Sequence, residues 1–171
     1  FEKNQTYYGN NHRILKRNIA ILADSLKKAF VLRNDNYVSR STTGQLSPNR
    51  LWKITRTKDD KLFDQKKKSE NSEFVVDILL DSSGSQMKRQ SQVAAQGYII
   101  SEALSETGIP HRVSGYCAFW GYTVLQRFRD YEDAREANNR IFEFRAYANN
   151  RDGLALKTVC ASLTERPEEN K

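Results

Sequence analysis

Apolar residues recur along this chain with two different periods, and each change of period marks a new element. Over residues 12–33, Leu15, Ile19, Leu22, Leu26 and Ala29 fall at alternating four- and three-residue steps. That spacing predicts one stripe of an amphipathic helix, with Lys16, Arg17, Asp24, Lys27 and Lys28 lying largely off it. The pattern then lapses from Asn34 to Asn49, a polar stretch punctuated by Gly44 and Pro48, which reads as connection. Leu51-Trp52-Lys53-Ile54 marks a short helix or the start of a strand, and Lys66 to Asn71 reads as an exposed linker. Beyond it, Phe74-Val75-Val76-Asp77-Ile78-Leu79-Leu80 is almost continuously apolar, as a buried strand requires.

The helical period returns over residues 86–107, with Val93, Ala94, Tyr98, Ser101 and Leu104 inward and Gly108 as the stop. His111 to Phe119 and Tyr122 to Phe128 read as strands. Only Trp120-Gly121 separates them, so a tight antiparallel hairpin is expected. A helical stretch over Tyr131 to Phe144 follows, then the loop Asn149 to Gly153 and a last helix from Leu154 to about Leu163. Strand, turn, helix, strand is the opening of a doubly wound α/β sheet, in which ligands sit beyond the carboxyl ends of the strands. The expected organisation is a basic helical extension, residues 1–70, followed by an α/β domain, residues 71–171.

The turn that ends the first buried strand carries the chemistry. Asp81-Ser82-Ser83-Gly84-Ser85 places oxygen-bearing side chains at alternate positions, Asp81, Ser83 and Ser85. One carboxylate and two hydroxyls at the end of a strand make a cradle for a hard divalent cation, which keeps waters in its remaining positions. Mg²⁺ is the expected ion, with Mn²⁺ or Ca²⁺ as alternatives. The competing reading is simple helix capping, for which Asp and Ser are equally suited.

Bulk properties narrow the classes. The chain has 171 residues with 29% charged and 38% hydrophobic side chains, a composition of folded rather than disordered protein. No apolar run approaches the roughly 20 residues that span a bilayer, and no signal segment opens the chain. The two cysteines, Cys117 and Cys160, lack metal-ligand spacing and point to a reducing compartment, so a cytoplasmic location is expected. The net charge is +7 and unevenly placed: residues 1–70 carry 16 Lys/Arg against 7 Asp/Glu, and residues 71–171 carry 12 against 14. The leading segment therefore suits an acidic partner, protein or nucleic acid, unless it is only a solvated basic face.

Other chemistries find less support. Ser-Ser-Gly-Ser lacks the elbow of a nucleophilic serine, and only His12 and His111 could serve as bases. No Gly-x-x-x-x-Gly-Lys loop is present to hold nucleotide phosphates. Phe119, Trp120 and Tyr122 form an aromatic cluster at the hairpin tip that either packs on the sheet edge or offers a contact point. Tyr7, Tyr8, Tyr37 and Trp52 in the basic segment could stack on bases, although no nucleic-acid module is recognisable.

Asp-x-Ser-x-Ser after a buried strand, followed by a helix and an edge hairpin, resembles the metal-ion-dependent adhesion site of von Willebrand factor A domains. The Ser-Gln pair at Ser85-Gln86, the run Gly115 to Trp120, Phe128-Arg129-Asp130-Tyr131 and Asn150 to Ala155 resemble the nitric oxide reductase activation proteins, relatives of the von Willebrand-type cobaltochelatase subunit. Gly44-Gln45-Leu46, Arg50-Leu51-Trp52 and Leu62-Phe63 are similar to the region preceding the A domain there. The resemblance implies a doubly wound von Willebrand A sheet with an antiparallel edge strand. It implies a metal held by Asp81, Ser83 and Ser85, with Asp152 where other A domains use a threonine. The family's third metal loop would lie beyond Lys171, so the far part of the sheet is expected to be missing. Asp152 could instead cap the last helix. Arg151 and Trp120 are candidate partner contacts. The implied role is non-catalytic, linking a MoxR-type AAA+ ATPase to a target metalloenzyme, with a cobaltochelatase-type role or nucleic-acid binding as alternatives.

Overall fold

The computed structural model describes residues 1–34, 38–48, 51, 62–66, 74–147, 149–168 and 171. They form two compact units: Phe1–Leu26 with Ser72–Lys171, and Lys27–Asn71. The first twenty-six residues thus group with the α/β part of the chain.

Helix α1 (Glu2–Asn34), whose residues up to Leu26 belong to the first unit, begins ten residues earlier than periodicity predicts. Residues 2–11 are mostly polar and include Gly9, so no stripe announces them. What holds them is tertiary. Asn4 is fully buried, and its amide nitrogen donates to the carbonyls of Phe142 (2.8 Å) and Phe144 (2.9 Å). Its amide oxygen accepts from the Ser91 hydroxyl at 2.9 Å. One turn on, the Tyr8 ring meets Tyr98 edge-on at 5.0 Å and Phe142 at 5.4 Å. Further along, Ile19 and Ala23 are buried, Leu15, Leu22 and Leu26 half-buried, and Ala29 is exposed.

The sheet of this unit has the order β4-β5-β6, with β4 (Val76–Asp81), β5 (His111–Phe119) and β6 (Tyr122–Arg129). β4 and β5 are parallel, Val76 opposite His111 and Asp81 opposite Tyr116; β5 and β6 are the expected antiparallel hairpin. The crossover is a 3₁₀ stretch, Gly84–Arg89, running into α2 (Gln90–Thr107), which ends at Gly108 in the left-handed region (φ 72°). Leu80, Ala94, Val113, Phe128, Ile141, Phe144 and Ala146 form the core, with Val93 and Tyr98 against it.

The helix expected over Tyr131 to Phe144 is instead a 3₁₀ segment, Arg135–Glu143. Asn138 at its centre is fully buried and explains the difference. Its side chain reaches Glu102 (2.7 Å) and Ser105 (3.1 Å) as donor, and accepts from Arg129 at 2.6 Å. Such side-chain bonds compete with the regular helical ladder. α3 (Asp152–Thr164) completes the unit and begins two residues before the expected start. A buried ion pair, Arg112–Asp77 at 2.7 Å, joins the lower ends of β4 and β5, and the Tyr131 hydroxyl donates to the same carboxylate at 2.8 Å.

The second unit contains a three-stranded antiparallel sheet, β1 (Val38–Ser41), β3 (Phe63–Lys66) and β2 (Gln45–Leu46). It corrects the reading of residues 34–49 as plain connection. Strands of four, two and four residues with sequences VSRS, QL and FDQK are too short and too polar for an alternating signal. Trp52-Lys53-Ile54 and residues 67–71 of the expected linker lie outside the described residues.

Two predictions follow from this packing. Asn4→Ala strands two buried carbonyls and should cost about 2–3 kcal/mol, read as a lower midpoint in urea unfolding with an unchanged slope. His111 is fully buried, with Nδ1 donating to the Ile109 carbonyl (2.9 Å), while the Ser101 hydroxyl oxygen lies 2.8 Å from both Nε2 and Asn138 Oδ1. Burial, foremost, lowers its pKa below the usual 6.5; the bond to Ile109 opposes this, the nearby Arg129 cation adds to the lowering, and Glu102 opposes it least. The unfolded chain then binds this proton first, so the stability His111 contributes is complete above about pH 6.5 and falls as pH drops below it. Urea unfolding between pH 7.5 and 5 should display that loss, and His111→Gln should flatten it.

Candidate metal and partner site

The site is built where β4 ends. Parallel pairing sets Asp81 beside Tyr116, and the chain then turns through Ser82 to Ser85 before the 3₁₀ stretch begins. Asp81 Oδ1 accepts the Ser83 backbone N–H at 2.8 Å, closing the turn. Its Oδ2 accepts the Ser83 hydroxyl at 2.9 Å, and Ser83 Oγ lies 2.8 Å from Ser85 Oγ. Gln86 Nε2 approaches the same carboxylate oxygen at 3.4 Å. The three oxygen groups anticipated from the sequence are therefore contiguous. No side-chain cap bonds the start of the 3₁₀ stretch, so these groups converge on one another rather than on helix amides.

Neighbouring backbone keeps the turn close to the sheet. Ser82 N–H donates to the Tyr116 carbonyl (2.9 Å), and the Ser82 carbonyl accepts from Tyr147 N–H (3.1 Å). Opposite stands Gly115, where a β-carbon would come within 2.8 Å of the Ser82 hydroxyl and 3.1 Å of the Phe128 ring. A side chain at position 115 would force the Ser82 hydroxyl and the Phe128 ring to shift.

Asp152 enters from the first turn of α3. It bonds none of Asp81, Ser83 and Ser85 directly; its Oδ1 accepts the Tyr116 hydroxyl at 2.8 Å. Tyr116 stands between the two acidic positions, and its phenol is held well above the usual tyrosine range. Burial contributes most, then the bond to Asp152, then the charges of Asp81 and Asp152. Tyr116 is the member of the site that residue reading passed over. Its signal was available in principle, because a residue level with Asp81 on the adjacent parallel strand must face the same end of the sheet.

Arg151 and Trp120 take up different duties. The Arg151 guanidinium donates to the Gly121 carbonyl at 2.9 Å, tying the α3 loop to the hairpin tip. Trp120 and Gly121 both have positive φ, 46° and 91°, as a two-residue hairpin turn demands. Phe119 packs on Tyr147 with centroids 5.4 Å apart, whereas Trp120 is 96% exposed. The two histidines lie elsewhere: His12 is on α1, and His111 faces Val76, five residues or about 16 Å down the sheet from Asp81.

One carboxylate, two neutral hydroxyls and a second carboxylate held nearby are hard oxygen donors, a set suited to Mg²⁺. Among the described residues no cluster of three or more His, Cys, Asp or Glu offers an alternative metal site, and no helix is long and apolar enough to cross a membrane.

Comparison with known proteins agrees with the fold. Residues 62–138 match the family model described as "Cobalamin biosynthesis protein CobT VWA domain". The match runs from β3 through the Asp81 turn, α2 and the hairpin into the 3₁₀ segment, and supports a von Willebrand A domain of CobT-like kind, with the mixed α/β sheet such a domain has. No curated protein and no solved structure matches the chain.

Removing the Asp152 charge should bring the Tyr116 phenol down towards 10, yet leave it above that value because burial remains the larger cause. The Tyr116 ¹³Cζ resonance, followed through an alkaline titration of wild type and Asp152→Asn, measures both parts.

Proposed function

We propose that this chain is a metal-dependent, non-catalytic interaction module. The observation that carries the reading is the contiguity of the Asp81, Ser83 and Ser85 oxygens at the carboxyl end of β4. Asp81 and the two serines would hold a divalent cation, Mg²⁺ or else Mn²⁺ or Ca²⁺, and Asp152 would face it directly or through water. A cation in that place supplies an open coordination position for an acidic side chain of a partner. The serines contribute no charge, which leaves the cation positive enough to attract that carboxylate. Tyr116 orients Asp152, and Gly115 lets the turn sit against the sheet.

The family match and the motifs around Asp152 support a place in a cobaltochelatase-like or nitric oxide reductase-activating assembly. In that reading a MoxR-type AAA+ ATPase hydrolyses ATP in the cytoplasm. This chain couples it to a metalloenzyme into which metal or cofactor is inserted. The basic excess of residues 1–70 suits an acidic partner surface.

Thermal unfolding in saturating Mg²⁺ against EDTA tests the metal. At a hundredfold excess over the dissociation constant, binding should stabilise the wild type by about 2.7 kcal/mol. Asp81→Ala should abolish the shift, and Ser83→Ala should reduce it. An Asp81→Ala protein that keeps the full shift would refute the assignment. Mg²⁺-dependent capture of an AAA+ ATPase, lost in Asp81→Ala, tests the partner.

A further inference from the structure

The Asp152 carboxylate is fastened to the β5–β6 hairpin, whereas the other three oxygen groups of the site are fastened to one another. Three bonds tie down the loop and first turn that carry it. The Asn149 carbonyl accepts from Ala118 N–H at 2.7 Å, and the Arg151 guanidinium donates to the Gly121 carbonyl at 2.9 Å. The Tyr116 hydroxyl donates to Asp152 Oδ1 at 2.8 Å. Each of these partners belongs to β5 or to the turn that follows it.

Asp81, Ser83 and Ser85 form a separate chain of bonds, 2.9 Å and then 2.8 Å, in which Asp152 takes no part. Neither serine hydroxyl donates to it. Tyr116 sits level with Asp81 in the parallel register, so its ring rises from β5 beside the metal turn. A phenol has one proton to donate, and this one goes to Asp152 rather than to Asp81. Asp152 is itself exposed, so packing does not fix its side chain. The phenol does.

We propose that Tyr116 is a positioning residue that keeps Asp152 out of direct contact with the ion, so that this carboxylate acts on it through water. The inference rests on the metal reading and commits Asp152 to one of the two forms left open there. With Asp81 as its one carboxylate ligand, a divalent ion keeps a net positive charge. A second direct carboxylate would cancel that charge and occupy a further coordination position. Held on the phenol, Asp152 still draws cations towards the turn by its charge. Tyr116 thereby lowers affinity for the ion and keeps the bound ion open to a further ligand.

Mn²⁺ suits the same oxygen set and is the probe, because ¹⁷O relaxation of the solvent counts the waters bound to it. The full chain loaded with Mn²⁺ should hold equal numbers of waters in wild type and Asp152→Ala. Tyr116→Phe should hold one fewer, since the freed carboxylate replaces a water, and the double variant should return to the wild-type count. Calorimetry should show Mg²⁺ bound at least about fivefold more tightly by Tyr116→Phe, a gain that adding Asp152→Ala removes. An extra water in Asp152→Ala would put that carboxylate on the ion already in the wild type. An unchanged count or weaker Mg²⁺ binding in Tyr116→Phe would remove the role of the phenol. Either result overturns this inference and leaves the metal reading standing. Asp152→Ala breaks the same hydrogen bond from the other side, so a loss of water shared by both variants marks a disturbed fold and overturns it too. Mn²⁺ binding that is absent, or that Asp81→Ala leaves intact, overturns the metal reading and this inference together.

Discussion

The parallel register of β4 and β5 is the constraint on which the remainder depends. It aligns Asp77 with Arg112 at one end and Asp81 with Tyr116 at the other. At the lower end the two side chains meet as a buried pair, a costly arrangement unless geometry and hydrogen bonds are complete. Arg112 grips Asp77 through two nitrogens (2.9 and 2.7 Å), Tyr131 adds a third bond, and Ser162 accepts from the third guanidinium nitrogen at 2.9 Å. A slip by one residue would break that cluster and turn Asp81 to the other face. Register at the lower end thus sets the position of the turn at the upper end.

Around this pair the molecule divides its polar groups by purpose. The network of Ser101, Glu102, His111, Arg129 and Asn138 lies inside, where each member is bonded to another across α2, β5, β6 and the 3₁₀ segment. It fixes the non-helical course of residues 135–143 and leaves only Arg129 Nε and Thr123 Oγ1 without a partner among the described buried side-chain atoms. The oxygens at the Asp81 turn are different, since they bond mainly one another, and although Ser83 is buried, Asp81 is half-buried and Ser85 exposed. Groups that satisfy each other at a strand end can exchange those bonds for a cation more readily than the members of a buried network can.

Much of this was legible in the residues. The apolar run into Asp81, the helix ending at Gly108 and the two-residue hairpin carry strong local signals, and all three elements stand as expected. The Asp-x-Ser-x-Ser spacing also sufficed to bring Asp81, Ser83 and Ser85 together, because a tight turn leaves alternate side chains on one side. The misses share one cause. Residues 2–11 are helical because Asn4 and Tyr8 find partners more than eighty residues away. Residues 135–143 are 3₁₀ because Asn138 is pulled into a distant network, and the small sheet of the second unit rests on pairing rather than on pattern. Tyr116 belongs to the same class, since its role comes from which strand lies beside β4.

The Asn4 anchor also bears on the Asp81 turn. Its amide grips the carbonyls of Phe142 and Phe144, and the same length of chain, three residues on, delivers the Tyr147 N–H to Ser82 in the Asp81 turn. The start of α1 is thus joined to the backbone beside Asp81 through a short, hydrogen-bonded tether. The first helix and the Asp81 turn are neighbours along one short length of backbone, although some eighty residues of sequence separate them.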